Sequence, residues 1–204
     1  MFTGIVEELG TVASLEQLPA GARLRISCKY ILENLQEGGS VAVNGVCLTA
    51  LDPARDSFAA DLAPETLSRS NLGVLVPGSR VNLERPVTLA TLFSGHIVQG
   101  HVDATGEIVA LDALGEGAWL KVKAPPDLDR YLVHKGSIAL DGISLTIAAL
   151  EPGPVVGVAV IPHTLENTTL GSARVGGRVN IEADVLAKHV EKLLNPRLLS
   201  PGGR

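Results

Sequence analysis

The sequence predicts an all-β protein: two small closed β-barrels of one design in tandem, followed by a C-terminal α-helix. Three observations carry this. Four blocks of the first half recur, in the same order, in the second half. Both halves are short alternating segments punctuated by Asn-Gly, Asp-Gly and Pro signals. The stretch after Asp184 has helical rather than strand spacing.

The repeat is colinear. Gly4-Ile5-Val6-Glu7 with Gly10 aligns with Gly100-His101-Val102-Asp103 with Gly106. Gly39 to Thr49 aligns with Gly136 to Thr146. Pro64-Glu65-Thr66-Leu67 aligns with Pro162-His163-Thr164-Leu165, and Arg80-Val81-Asn82-Leu83-Glu84 with Arg178-Val179-Asn180-Ile181-Glu182. A period this long excludes a solenoid and fits two homologous domains. The expected units are 1–92, 93–184 and a tail of 185–204, the break falling between Arg85 and Gly95.

In the first copy, Leu24, Ile26 and Cys28 alternate with polar residues, as in a half-buried strand. A short helix is expected at Tyr30 to Leu35. Ser40 to Asn44 and Val46 to Leu51 read as two strands joined at Asn44-Gly45, a pair that supplies positive φ cheaply. Pro64 suits the first turn of a short helix. The second copy repeats these signals at Trp119 to Lys123, Leu128 to Val133, Asp141-Gly142 and Pro162. In the tail, Leu186, Val190, Leu193 and Leu194 share one face, and Pro196 ends the helix. That face packs either on its own barrel or on copies of itself.

Composition excludes several classes. With 46% hydrophobic residues the chain folds, and with only 19% charged residues much of it is buried within the fold or against other subunits. Aromatics are 3% and the net charge is −5, so neither the positive groove nor the stacking platform of a nucleic-acid binder is present. No apolar run is long enough to span a bilayer. Met1 to Gly10 lacks the charged and apolar regions of a signal peptide. Two cysteines, Cys28 and Cys47, make no disulfide framework, so a cytoplasmic protein with free thiols is expected.

Positions where the copies differ mark divided labour. Cys47 stands where the second copy has Ser144, and each shares a strand face with a threonine, Thr49 or Thr146. Each copy thus offers a nucleophile-type atom beside a hydroxyl, although a free Cys is most often a small buried hydrophobe and Ser and Thr often bond backbone. His101 replaces Ile5, which suits a proton-handling role. His96 and His101 lie at odd spacing with no carboxylate or thiol cluster, so no metal site is expected. Lys135 replaces Gly38 at the lip of a turn, where it could take a sugar hydroxyl or a phosphate or simply be solvated. Asp184 replaces Pro86 and suits an N-cap. No Rossmann fingerprint, P-loop or GxSxG elbow is present.

Taken together, Met1-Phe2-Thr3-Gly4-Ile5-Val6, Asn44-Gly45-Val46-Cys47-Leu48-Thr49, Glu65-Thr66-Leu67, Gly100-His101-Val102-Asp103, Asp141-Gly142-Ile143-Ser144-Leu145-Thr146, Ile161-Pro162-His163-Thr164-Leu165 and Val179 to Asp184 resemble the trimeric riboflavin synthase family over nearly the whole chain. Ser94 and Gln99 stand where that family would have Gly and Ser. The resemblance implies two six-stranded Greek-key barrels, each binding one 6,7-dimethyl-8-ribityllumazine. It implies a four-carbon transfer between two such molecules, giving riboflavin and 5-amino-6-ribitylamino-uracil. No metal or redox cofactor is implied. The site would form between barrels of adjacent subunits in a homotrimer joined by tail helices; association with lumazine synthase is left open.

Carried over by residue, the first pocket would be Gly4-Ile5-Val6, Cys47-Leu48-Thr49 and Asp61-Leu62-Ala63-Pro64-Glu65-Thr66. The second would be Gly100-His101-Val102, Lys135, Ser144-Leu145-Thr146 and Val160-Ile161-Pro162-His163-Thr164-Leu165. The chemistry asks for a base and a nucleophile. His101, with Ser144 and Thr146 in its hydrogen-bond network, would take or shuttle a proton from the acidic 7-methyl group. Cys47 would add to the partner molecule or hold an attacking water, and Asp184 would orient or accept protons across the boundary. A ribityl hydroxyl of the substrate is the alternative base. The rival readings are a lumazine- or flavin-binding optical protein and a flavin-dependent reductase; the latter needs a nicotinamide domain for which no residues remain.

Overall fold

The computed structural model describes residues 1–194. The first copy forms a six-stranded antiparallel sheet: β1 (Glu8–Leu18), β2 (Gly21–Ser27), β3 (Ser40–Val43), β4 (Val46–Thr49), β5 (Ser57–Leu62) and β6 (Arg80–Glu84). The second forms seven strands: β7 (Ala104–Leu114), β8 (Gly117–Lys123), β9 (Ser137–Leu140), β10 (Ile143–Thr146), β11 (Ala149–Glu151), β12 (Val155–Val160) and β13 (Arg178–Ala183). Strand orders are β4-β3-β6-β1-β2-β5 and β10-β9-β13-β7-β8-β12-β11. The last strand of each copy thus returns between the first and the third, a Greek-key path.

The seventh strand departs from the expected six. Its pairing Ala149↔Gly157 has a one-residue counterpart in the first copy, the bridge Leu51↔Ala59. In both copies this pairing ties the end of one hairpin to the opposite edge of the sheet and so curls it closed, leaving fewer free edge groups. The second copy extends the bridge to three pairs. The long hairpins also carry the same bulge, between Val12 and Ser14 and between Ile108 and Ala110, which bends both sheets alike.

The alternation read in the sequence is the burial pattern: Leu24 and Ile26 point inward with Phe58, Val81 and Leu83, and Ala22 is buried with them. Leu120, Val122, Ile138, Val158 and Ile181 fill the second core. The expected short helices form at α1 (Pro64–Arg69) and α2 (Pro162–Asn167), each with Pro in its first turn, and as 3-10 turns at Tyr30–Asn34 and Pro126–Tyr131. Cys28 and Cys47 are both free thiols; burial pushes the Cys28 thiol up to about 12, so it stays protonated.

The copies meet tip to tip at Gly45 and Gly142. A Cβ on either would lie within 2.7 Å of the other's backbone nitrogen, so only glycine permits the approach. Around this contact lies a buried polar seam. Asn180 donates to the Asn44 carbonyl at 2.8 Å, Asn82 donates to the Asp141 carbonyl at 2.9 Å, and the Asn71 N–H donates to Asn180 Oδ1 at 2.6 Å. Buried amides retained in this way are satisfied by one another.

Helix α3 (Val185–Leu194) follows β13. Asp184 caps it, accepting from the Leu186 N–H at 2.9 Å. Lys188 pairs with Asp103 at 2.7 Å, and Arg130 and Tyr131 both donate to the Glu191 carboxylate. These polar contacts hold α3 to the second barrel. Leu186, Val190, Leu193 and Leu194 are exposed, so the described residues of one chain leave uncovered the face expected to pack either on its own barrel or on copies of itself. Pro196, expected to end the helix, lies outside the described residues. No helix among the described residues is long and apolar enough to cross a membrane.

Candidate active site

Two short segments precede the first strand of each copy and define the site. The Phe2 N–H donates to the Val98 carbonyl at 2.7 Å, and Val98 returns the bond at 3.1 Å. This isolated bridge packs Phe2 and Val98 with Ala42 and Ala139, one small cluster shared by both barrels.

Each segment is pinned by a buried carboxylate of its own barrel. Glu84 accepts from the Thr3 N–H at 2.6 Å, the Thr3 hydroxyl at 2.8 Å and the Gly4 N–H at 3.0 Å. Glu182 accepts from the backbone N–H groups of Gln99 at 2.6 Å, Gly100 at 3.0 Å and His101 at 2.9 Å. Burial raises both carboxyl pKa values, and these donors act against it.

Each pinned segment then serves the opposite barrel. The Ser144 N–H donates to the Gly4 carbonyl at 2.7 Å, and the Cys47 N–H donates to the Gly100 carbonyl at 2.8 Å. Gly4 (φ +78) and Gly100 (φ +81) are both left-handed, and a Cβ on either would lie 2.6 Å from the Cβ of Ser144 or Cys47. Val6 packs on the second core and Val102 on the first.

This corrects the expected grouping. Gly4-Ile5-Val6 belongs with Ser144, and Gly100-His101-Val102 with Cys47. The physical reason is the Phe2–Val98 bridge, which crosses the two segments before each enters its own sheet. His101 accordingly lines a cavity of about 490 Å³ with Cys47, Glu65, Thr66, Arg69 and Val102. It makes no side-chain hydrogen bond to Ser144 or Thr146; the imidazole bonded to Ser144 is that of His96, at 2.7 Å.

The other expected residues fall as follows. Cys47 and Ser144 are half-buried at equivalent strand positions, with Thr49 and Thr146 exposed two residues on. Asp61, paired with Arg23 at 2.7 Å, is the penultimate residue of β5, which ends at Leu62 and leads through Ala63 into α1 with Pro64, Glu65 and Thr66. Val160 ends β12 and leads through Ile161 into α2 with Pro162, His163, Thr164 and Leu165. Lys135 is exposed and adopts φ 66, where the first copy has Gly38. A lysine held in a conformation glycine takes freely carries strain of about 1–3 kcal/mol. Asp184 is half-buried at the head of α3, and its charge acts on His96.

In the sequence His96 reads only as a poor metal ligand. It is 8% exposed; burial holds its imidazole below the ordinary value, with Asp184 pulling the other way. It has no counterpart in the first copy, so comparing the copies could not find it. A larger cleft of about 590 Å³, lined by Thr3, Ile5, Glu7, Ser40, Arg85 and Ser94, was also not expected. Among the described residues no three His, Cys, Asp or Glu side chains form a group that could hold a metal ion.

Two related barrels with reciprocal glycine segments and matched polar strands define a duplicated ligand-binding protein. The family described as "Lumazine binding domain" matches residues 3–86 and again 99–184. A riboflavin synthase from Mycobacterium bovis is 54% identical over 197 residues, covering 95% of this chain and 98% of the relative. One from Bacillus subtilis is 42% identical over 195 residues, covering 96% and 90%. The solved structure of LumP complexed with riboflavin superposes with a TM-score of 0.84 at 23% identity, covering 90% of this chain and 99% of that one. The chain belongs to the riboflavin synthase family.

Proposed function

We propose that the protein catalyses the dismutation of two 6,7-dimethyl-8-ribityllumazine molecules to riboflavin and 5-amino-6-ribitylamino-uracil. The reciprocal pairing of Gly4 with Ser144 and Gly100 with Cys47 carries the reading, because it sets a thiol strand and a hydroxyl strand, related but chemically unequal, each beside a glycine segment in one chain. Two identical substrates with different fates need that arrangement, and holding them face to face supplies much of the rate. The assignment treats 1–92 and 93–184 as lumazine-binding barrels and 185–204 as the assembly tail.

In the first pocket Cys47 stands beside Thr49, Glu65, Thr66 and the Gly100-His101-Val102 segment. His101 handles the proton there, and Cys47 adds to the substrate or holds an attacking water. In the second, Gly4-Ile5-Val6, Lys135, Ser144, Thr146 and Val160 to Leu165 receive the other lumazine. Backbone at the glycines approaches the flat ring, while polar strand ends take ribityl hydroxyls. The pockets of one chain would be completed by those of its neighbour in a homotrimer. The uncovered apolar face of α3 and the exposed Phe93 and Ile161 support such an assembly. The free thiols fit a cytoplasmic protein.

The test is anaerobic incubation of the purified protein with the lumazine, without added cofactor, following products by chromatography. One riboflavin per two lumazines consumed is expected. Tight, fluorescent binding without turnover would overturn the enzyme reading in favour of an optical binding protein.

A further inference from the structure

We propose that Lys188 is a positioning residue for His101: paired with Asp103, it is the point at which α3 braces the segment that carries His101 into the first pocket. The inference rests on the functional reading above and deepens it, because it makes the tail helix part of the pocket beside Cys47.

The segment is anchored at both ends. At its start, the Glu182 carboxylate accepts from the Gln99, Gly100 and His101 N–H groups. At its end, two residues past His101, the Asp103 N–H donates to the Ile181 carbonyl at 2.9 Å. One Asp103 carboxylate oxygen accepts from the Ala183 N–H at 2.9 Å, and the other pairs with the Lys188 ammonium at 2.7 Å. The paired side chains are largely shielded, Lys188 being 24% exposed and Asp103 21%, so solvent and salt screen them less than a surface pair. Asp103 also lines the cavity that His101 shares with Cys47. The exposed imidazole makes no side-chain hydrogen bond among the described residues, so the backbone between the two anchors sets its position.

Comparing the copies shows what the helix adds. Glu7 stands where the second copy has Asp103, and its N–H likewise donates to a strand carbonyl, that of Leu83, at 2.9 Å. The Glu7 carboxylate accepts from the Arg85 N–H at 2.7 Å and from Arg85 Nε at 2.8 Å. The first barrel thus supplies its own cation, on the residue after Glu84. In the second copy the residue after Glu182 is Ala183, which carries no charge, and the cation arrives from the first turn of α3 instead. Lys188 acts on the other anchor as well. Burial raises the Glu182 carboxyl, and the Lys188 charge acts against it together with the three N–H donors. One ammonium therefore pairs with the anchor at the end of the segment and favours the ionised form of the anchor at its start. A protonated Glu182 would set a hydroxyl against N–H donors and release the backbone on either side of His101.

The experiment uses the full-length protein and measures steady-state riboflavin formation from 6,7-dimethyl-8-ribityllumazine, with sedimentation velocity on every variant. Lys188→Met keeps the stem and removes the charge. Its kcat should fall on the order of 30-fold with KM within about threefold of wild type, since a displaced proton-handling group costs rate more than binding. Lys188→Arg restores the charge and should recover kcat to within about threefold. In a His101→Gln background, Lys188→Met should cost no more than about twofold, as for a residue that acts through another. Glu191→Ala removes the other polar tie of α3, to Arg130 and Tyr131, and should leave kcat within about twofold. Wild-type kcat in Lys188→Met, an undiminished loss in the His101→Gln background, or an equal loss in Glu191→Ala would each overturn the proposal. So would a loss of kcat that coincides with loss of the wild-type assembly state, because the helix would then act only by joining copies. Should Lys188→Met fail to fold, Asp103→Asn keeps an acceptor for the Ala183 N–H and removes the ion pair; it should reproduce the loss of kcat, and wild-type kcat would overturn the proposal. Wild-type protein that makes no riboflavin would overturn the functional reading and this one with it, whereas an active enzyme indifferent to Lys188 overturns this one alone.

Discussion

Asn71 and Asp141 meet across the seam between the barrels: the Asn71 side-chain amide donates to the Asp141 carboxylate at 2.8 Å. The Asn180 N–H donates to the same oxygen at 2.7 Å. Asp141 stands where the first copy has Asn44, so it places an ionisable group among amides. Burial pushes its pKa up to about 7, the two donors pulling the other way.

Its folded pKa thus lies above the unfolded value near 3.8. Between those values the native state holds a proton that the unfolded state has lost, so stability falls as pH rises through that window. Asp141→Asn removes this component while keeping an acceptor for the Asn180 N–H. The melting temperature of the variant relative to wild type should rise from about pH 4 to about pH 8, by scanning calorimetry. A flat difference across that range would refute the assignment.

Gly100 and Gly38 offer a matched comparison. Both have positive φ, but a Cβ on Gly100 meets Cys47, whereas on Gly38 it meets nothing within 4 Å. Gly38→Ala should cost about 1 kcal/mol from backbone strain alone. Gly100→Ala should cost about 2–4 kcal/mol by urea denaturation and abolish most turnover, because the Cys47 strand must move. Equal costs at the two sites would show that the close approach is unimportant.

Glu182 takes three backbone N–H groups on its two oxygens. Glutamine would set an amide donor against those donors. Glu182→Gln should therefore lose about 2–3 kcal/mol in chemical denaturation and weaken lumazine binding at the Cys47 pocket, since the Gly100 segment loses its anchor. Glu84→Gln should do the same to the Ser144 pocket.

His101 is exposed, and among the described residues it is hydrogen-bonded only through its backbone N–H, so replacing its side chain should leave the fold intact. His101→Gln should melt within a few degrees of wild type yet turn over on the order of 100-fold more slowly. Full turnover in this variant would remove His101 from the chemistry.

What the sequence made legible was local or duplicated. Asn44-Gly45 and Asp141-Gly142 announced their hairpins because positive φ is a property of single residues. The alternation at Leu24 and Ile26 announced an inward face because strands have period two. Cys47 and Ser144 stood out because duplication supplies its own alignment. The crossing of the Gly4 and Gly100 segments was not legible: it turns on one isolated bridge, Phe2 to Val98, which leaves no periodic trace. His96 was missed for a related reason. It lies before the repeat begins in the second copy, and only the fold brings it to Ser144.

The crossing decides what a single copy could do by itself. A chain carrying one copy alone would have a glycine arm with no partner strand to meet and a partner strand with no arm. Two such chains would satisfy each other by exchanging arms, as a homodimer with two identical pockets. In such a dimer every substitution would appear twice, and neither pocket could specialise. Fusion through residues 85–95 turns the symmetric dimer into one polypeptide. A thiol can then remain in one pocket while a hydroxyl and its histidine settle in the other.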